Sequence, residues 1–138
     1  MTDQDYLQLA TEEGKKGTAP HLYGAVVVKD GEILAVDHNH VWETKDPSAH
    51  AEVSAIKQAC LKVGSHNIDG ATLYASHEPC IMCFCCAAWA NFERIVFAVP
   101  ASEQTSDSYE FSGVSIYDMA ERLQKKIVIE QVKLDEEE

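Results

Sequence analysis

An α/β layered domain is the fold this sequence predicts, and three observations predict it. An apolar hairpin comes early in the chain, and segments of strand character then alternate with segments of helical spacing. The length of 138 residues, with 46% hydrophobic content, suffices for one domain (residues 1–138) with a proper core. Residues 2–16 carry Tyr6, Leu7, Leu9 and Ala10 at helical spacing and end before Gly17 and Pro20. Residues 23–29 read as a strand, Asp30-Gly31 as a hairpin turn, and residues 32–39 as the returning strand. Asp46-Pro47-Ser48 then opens a helix over about 49–62, with Ala51, Val53, Ile56 and Cys60 spaced for burial. Asp69-Gly70 turns the chain into a strand over 71–76, and Pro79 starts a helix running to about Ala90. Residues 93–99 form the next strand and 101–113 a polar loop; a helix over about 115–125 and a last strand over 127–134 complete the order.

Composition narrows the possible functions. No stretch approaches the ~20 apolar residues of a membrane span, and the acidic start Met1-Thr2-Asp3-Gln4-Asp5 does not read as a signal peptide, so a cytoplasmic, reducing location is expected. Four of the five cysteines (Cys80, Cys83, Cys85, Cys86) fall within seven residues, which suits metal chemistry or packing better than a disulfide framework. The formal charge is −12, from 23 acidic against 11 basic residues, and the only arginines are Arg94 and Arg122. Nucleic-acid binders gain most of their affinity from basic side chains on phosphates, so this charge demotes a nucleic-acid partner.

The informative motif is His50-Ala51-Glu52 followed by Pro79-Cys80-Ile81-Met82-Cys83. One imidazole and two thiolates are good zinc donors, and Glu52 is a candidate proton carrier beside them. A structural zinc site closes with four protein ligands, whereas a catalytic one uses three and keeps a position for water. Water on such a zinc ionises near pH ~7. The order H-x-E…P-C-x-x-C is the zinc-deaminase signature, in which the glutamate carries protons and does not bind metal. The predicted helices place His50 in the first turn of one and Cys80 in the first turn of another, where the helix dipole favours thiolate. Cys80 and Cys83, three apart, share a helix face; His50 and Glu52, two apart, do not.

These residues, with Tyr23-Gly24-Ala25-Val26, Asn39, Asp46-Pro47-Ser48-Ala49 and Glu78, resemble the cytidine-deaminase-like superfamily over about residues 20–100. The nearest branch is that of bacterial guanine deaminases and tRNA adenosine deaminases. The resemblance implies a three-layer αβα fold with a five-stranded mixed sheet, a Zn2+ cofactor, a nucleobase or nucleoside substrate and a homodimer. It assigns His50, Cys80 and Cys83 to zinc, Glu52 to proton transfer, and Asn39 and the Ala51 backbone amide to the substrate. Val53-Ser54-Ala55-Ile56, Ala59-Cys60 and Trp89 point towards the guanine deaminases, as does Glu110 in Tyr109-Glu110-Phe111, where those enzymes carry an acidic residue for guanine. Departures from the pattern are Cys85-Cys86 in place of a small pair and His77 where an apolar residue or cysteine is usual.

Competing readings remain open at this level. A structural zinc site would recruit Cys86 or His77 as fourth ligand, and a redox reading of Cys80 and Cys83 would leave His50 and Glu52 without a role. Cys85 and Cys86 read as buried thiols, Asn39 alone as a turn residue, Trp89 as a core aromatic unless it reaches the pocket and touches the substrate, and Glu110 as a solvated charge. The expectation carried forward is a zinc aminohydrolase acting on guanine first, with tRNA adenosine or cytosine and related amino-heterocycles behind it.

Overall fold

The computed structural model describes residues 1–104, 110–111 and 113–135. Five strands form one mixed sheet in the order β2-β1-β3-β4-β5. They are β1 (Gly24–Lys29), β2 (Glu32–His38), β3 (Thr72–His77), β4 (Arg94–Val99) and β5 (Val128–Gln131). β1 pairs antiparallel with β2 and with β3, while β3–β4 and β4–β5 are parallel. The hairpin at Asp30-Gly31 has both residues at positive φ (51° and 77°), the backbone of a tight primed turn. β1 is buried on both faces through Val26, Val27 and Val28, as a central strand between helical layers must be.

One layer is α1 (Asp3–Gly14), whose Tyr6, Leu7 and Ala10 pack on Val26, Val28, Tyr74, Val96 and Ala98. Thr2 caps it reciprocally with Asp5, a capping box. Its approach to the sheet depends on Gly24, because a Cβ there would lie 1.9 Å from the Ala10 carbonyl oxygen. The opposite layer holds α3 (Ala51–Val63), α4 (Ile81–Trp89) and α5 (Ile116–Ala120), and a one-turn α2 (Val41–Thr44) precedes α3. There Ala51, Ala55, Ile56, Phe84 and Ala87 bury against Ala25, Val27, Leu73 and Ile95. The fold is the predicted three-layer α/β arrangement around a five-stranded mixed sheet.

Four details differ from the sequence reading. The buried stripe of α3 is Ala51, Glu52, Ala55, Ile56 and Ala59, with Val53 and Cys60 only half-buried, because three alanines let the helix lie close to the sheet. Helices α3 and α4 each begin about two residues later than predicted, so His50 and Cys80 are their N-caps. The one-turn α2 was not foreseen. Helix α5 stops at Ala120 instead of about 125, since residues 121–126 offer only Leu123 to the core.

Gly24→Ala should destabilise the fold by at least the ~1–3 kcal/mol of an overpacked site, read as a lower urea midpoint at unchanged m-value.

Candidate metal centre and catalytic site

The fold brings His50, Cys80 and Cys83 to one point at the end of the sheet. His50 is the N-cap of α3 and Cys80 that of α4, while Cys83, fully buried, sits one turn along α4. His50 Nδ1 lies 3.6 Å from Cys80 Sγ and 3.5 Å from Cys83 Sγ, and the two sulphurs are 3.6 Å apart. Zn–S bonds of ~2.3 Å and Zn–N bonds of ~2.0–2.1 Å give tetrahedral edges of about 3.8 Å (S···S) and 3.5 Å (N···S). The three donors therefore already form the face of a zinc tetrahedron. Among the described residues no fourth donor joins them, since neither Cys86 nor His77 belongs to the cluster. That is the ligand count of a catalytic site and one short of a structural site.

Electrostatics support the same arrangement. The hydrogen bond between the sulphurs, together with His50, brings the Cys80 thiol down to about 4, while Cys83 is pushed up by that shared bond and by burial. Bound to a metal, both would be thiolates. Glu52 follows His50 into α3 but is 8% exposed, and burial, then the charge of Cys80, raise its carboxyl to about 7. A carboxyl that holds and releases a proton near neutral pH suits general acid–base work.

A cavity of about 80 Å³ opens beside this group, lined by His21, Tyr23, Asn39, His50, Glu52, His77, Glu78, Cys80 and Gln104. Asn39 is buried, and its Oδ1 accepts from the Val41 N–H at 3.0 Å. Ala51 is the first residue of α3, so its N–H is one of those that intrahelical bonding leaves without a partner. Glu78 is buried and accepts from the Ala101 N–H at 3.1 Å. A second cavity of about 320 Å³ shares His50 and Cys80 and is bounded by Pro47, Ile81, Met82, Glu110 and Phe111. Glu110 is exposed at this outer mouth and lines no part of the inner cavity; its neighbour Tyr109 lies outside the described residues.

Trp89 is a correction. At the C-terminal end of α4 it is 84% exposed and borders a separate groove with Phe92 and Leu123, so this chain does not bring it to its own site. Its position nine residues after Cys80 places it about two and a half helical turns from the N-cap where the ligands gather. His21 and Gln104 line the inner cavity without having been singled out. Neither belongs to a motif, and only the fold carries them there.

The family profile for the cytidine and deoxycytidylate deaminase zinc-binding region matches residues 1–99. The chain belongs to this family. It is 41% identical to the tRNA-specific adenosine deaminase of Aquifex aeolicus over 102 residues, 71% of this chain and 66% of that protein. It is 40% identical to the guanine deaminase of Bacillus subtilis over 92 residues, 67% of this chain and 59% of that one. The alignments thus cover less than two thirds of these relatives' lengths. A solved structure from work on A-to-I editing by tRNA:A34 deaminases superposes with a TM-score of 0.78 at 27% identity, covering 92% of this chain and 91% of that one.

Purified chain should carry about one zinc per subunit by atomic absorption. Cys83→Ala should lose it, and Glu52→Gln should retain it.

Proposed function

We propose that the chain is a zinc-dependent aminohydrolase that replaces the exocyclic amine of a small nucleobase or nucleoside by oxygen and releases ammonia. The observation that carries this reading is the buried Glu52 beside three donors that are spaced for zinc and that no fourth joins among the described residues. His50, Cys80 and Cys83 are the residues that would hold the metal. When bound, zinc lowers the pKa of a coordinated water to near ~7 and so supplies the hydrolytic nucleophile.

The proton work belongs to Glu52. It takes a proton from the attacking water, passes it to a ring nitrogen and finally delivers a proton to the departing amine, leaving as ammonia; water is split between product and leaving group and no redox partner is required. Burial prepares it for both directions by holding its carboxyl at about 7. Asn39 holds the ring, and the N–H of Ala51 at the start of α3 is offered to charge that develops on the substrate. Tyr23, His77 and Glu78 form walls of the same cavity.

Guanine is the first substrate, with cytosine and related amino-heterocycles behind it; its ring N–H groups call for an acceptor, and Glu110 at the outer mouth is the carboxylate available. Editing of tRNA adenosine is the second reading, favoured by the 41% identity to a tRNA-specific adenosine deaminase. Against it stands the formal charge of −12, which opposes a polyanion. A homodimer in a cytoplasmic setting completes the proposal.

Ammonia release measured on guanine, cytosine, adenosine and tRNA tests it. The expected outcome is turnover of a free base; salt-sensitive tRNA binding with inosine formation would replace the small-molecule reading. Glu52→Gln should lower turnover by the ~10²–10⁴-fold typical of a general acid–base group, with zinc unchanged. Asn39→Ala should impair every substrate, again with zinc unchanged. Glu110→Gln should weaken guanine selectively, by the ~1.5–3 kcal/mol of a charged hydrogen bond; guanine kinetics indifferent to it would remove guanine and leave the zinc chemistry.

A further inference from the structure

His77 ends β3 on the wall of the inner cavity, and the role proposed for it rests on the aminohydrolase reading above. We propose that His77 is a specificity-determining residue: a neutral imidazole held with its proton on Nε2, donating to a ring carbonyl of an oxo-amino heterocycle.

The tautomer follows from hydrogen-bond accounting around Ser76. Ser76 is 2% exposed, and its Oγ accepts from the Gly24 N–H at 3.0 Å. The same Oγ lies 2.8 Å from His77 Nδ1. If Nδ1–H donated to Oγ, the hydroxyl would accept twice and its own proton would have no acceptor among the described residues. Leaving a buried donor unmade costs ~1–3 kcal/mol. The arrangement that satisfies every group has the Ser76 hydroxyl donating to Nδ1, which places the imidazole proton on Nε2. Burial also lowers the His77 pKa, which favours the neutral ring this requires.

His77 lines the inner cavity, and Nε2–H is the open end of its ring. It has no hydrogen-bond partner among the described residues, yet no buried side-chain nitrogen or oxygen there lacks one, so Nε2 is not sealed inside the protein. Tyr23 packs edge-on to the ring at 4.6 Å and 77° between planes. A fixed donor with an open proton is a reading head for an acceptor.

The class of acceptor follows from the neighbouring donor. Asn39 lines the same cavity, and its Oδ1 already accepts from Val41, so its NH2 is the end with most to offer a ligand. A carbonyl oxygen has two lone pairs and can satisfy both donors, whereas a ring nitrogen has only one. The cavity therefore favours rings with both an amine and an oxo group, as in guanine and cytosine, over rings without the oxo group, as in adenine. A site built to hydrogen-bond a polar group rejects analogues lacking it strongly, because its own donors are left unpaired.

Two measurements on the zinc-loaded full chain test this. Long-range ¹⁵N–¹H correlation spectra at pH 7 should show His77 neutral and protonated at Nε2, with Ser76→Ala releasing that preference; an Nδ1–H tautomer or an imidazolium in the parent protein would overturn the proposal. Calorimetric binding in the Glu52→Gln background compares guanine with 2-aminopurine and cytosine with 4-aminopyrimidine. The oxo member should bind about tenfold or more tighter in at least one pair. Adding His77→Phe should collapse that gap with zinc content unchanged, and His77→Gln, which keeps a donor, should restore part of it. A gap that survives His77→Phe, or no binding of any of the four bases, would overturn the proposal. Ammonia release by the parent chain on the same bases is a separate readout: its absence would defeat the aminohydrolase reading while the tautomer and the binding gap still decide the role of His77.

Discussion

Everything at this site depends on the convergence of two helix starts on one point. Helices α3 and α4 lie side by side on one face of the sheet, and each opens with a ligand residue as its N-cap. An N-cap side chain lies at the end of the helix axis, where the unpaired N–H groups project and the dipole favours negative charge. Two such ends bring His50 and Cys80 to within 3.6 Å. Cys83 then needs only one helical turn to supply the third donor.

Glu52 is buried by its place on α3. It lies on the stripe of α3 that faces the sheet, where its neighbours Ala51, Ala55 and Ala59 leave room for a longer side chain. A carboxylate in that position would be expensive on its own, and burial accordingly lifts its proton affinity to about 7. The same burial that penalises the charge gives Glu52 the proton affinity that its proposed acid–base role needs. The opposite wall of the cavity is built differently. There Ser76, His77 and Tyr23 belong to β3 and to the segment entering β1, so their placement depends on strand register and not on helix starts.

How much of this was legible in the sequence follows from that difference. The metal triad was legible because its spacing is local: Cys80 and Cys83 are one turn apart, and His50 announces itself through Glu52 and the helix opening. The strands were legible because β1, β3 and β4 are apolar runs punctuated by Asp30-Gly31 and Asp69-Gly70. Trp89 misled because an aromatic after the motif suggested a pocket wall, whereas about two and a half helical turns carry it away to an 84% exposed position. The burial of α3 was misassigned in part because its alanines, not its valine, make the close contact. His21 and Gln104 were invisible because only tertiary folding carries them to the cavity. For His77, the sequence showed an unusual residue, but its tautomer depends on Gly24, 53 residues away in the chain and adjacent only across the sheet.

The measurement that tests the central claim most directly is X-ray absorption at the zinc edge of the metal-loaded chain. Two sulphurs at ~2.3 Å, one imidazole nitrogen at ~2.0–2.1 Å and one light donor from outside the protein are the expected shell. A third sulphur or a second imidazole, closing the site with four protein ligands, would contradict a catalytic centre built on His50, Cys80 and Cys83.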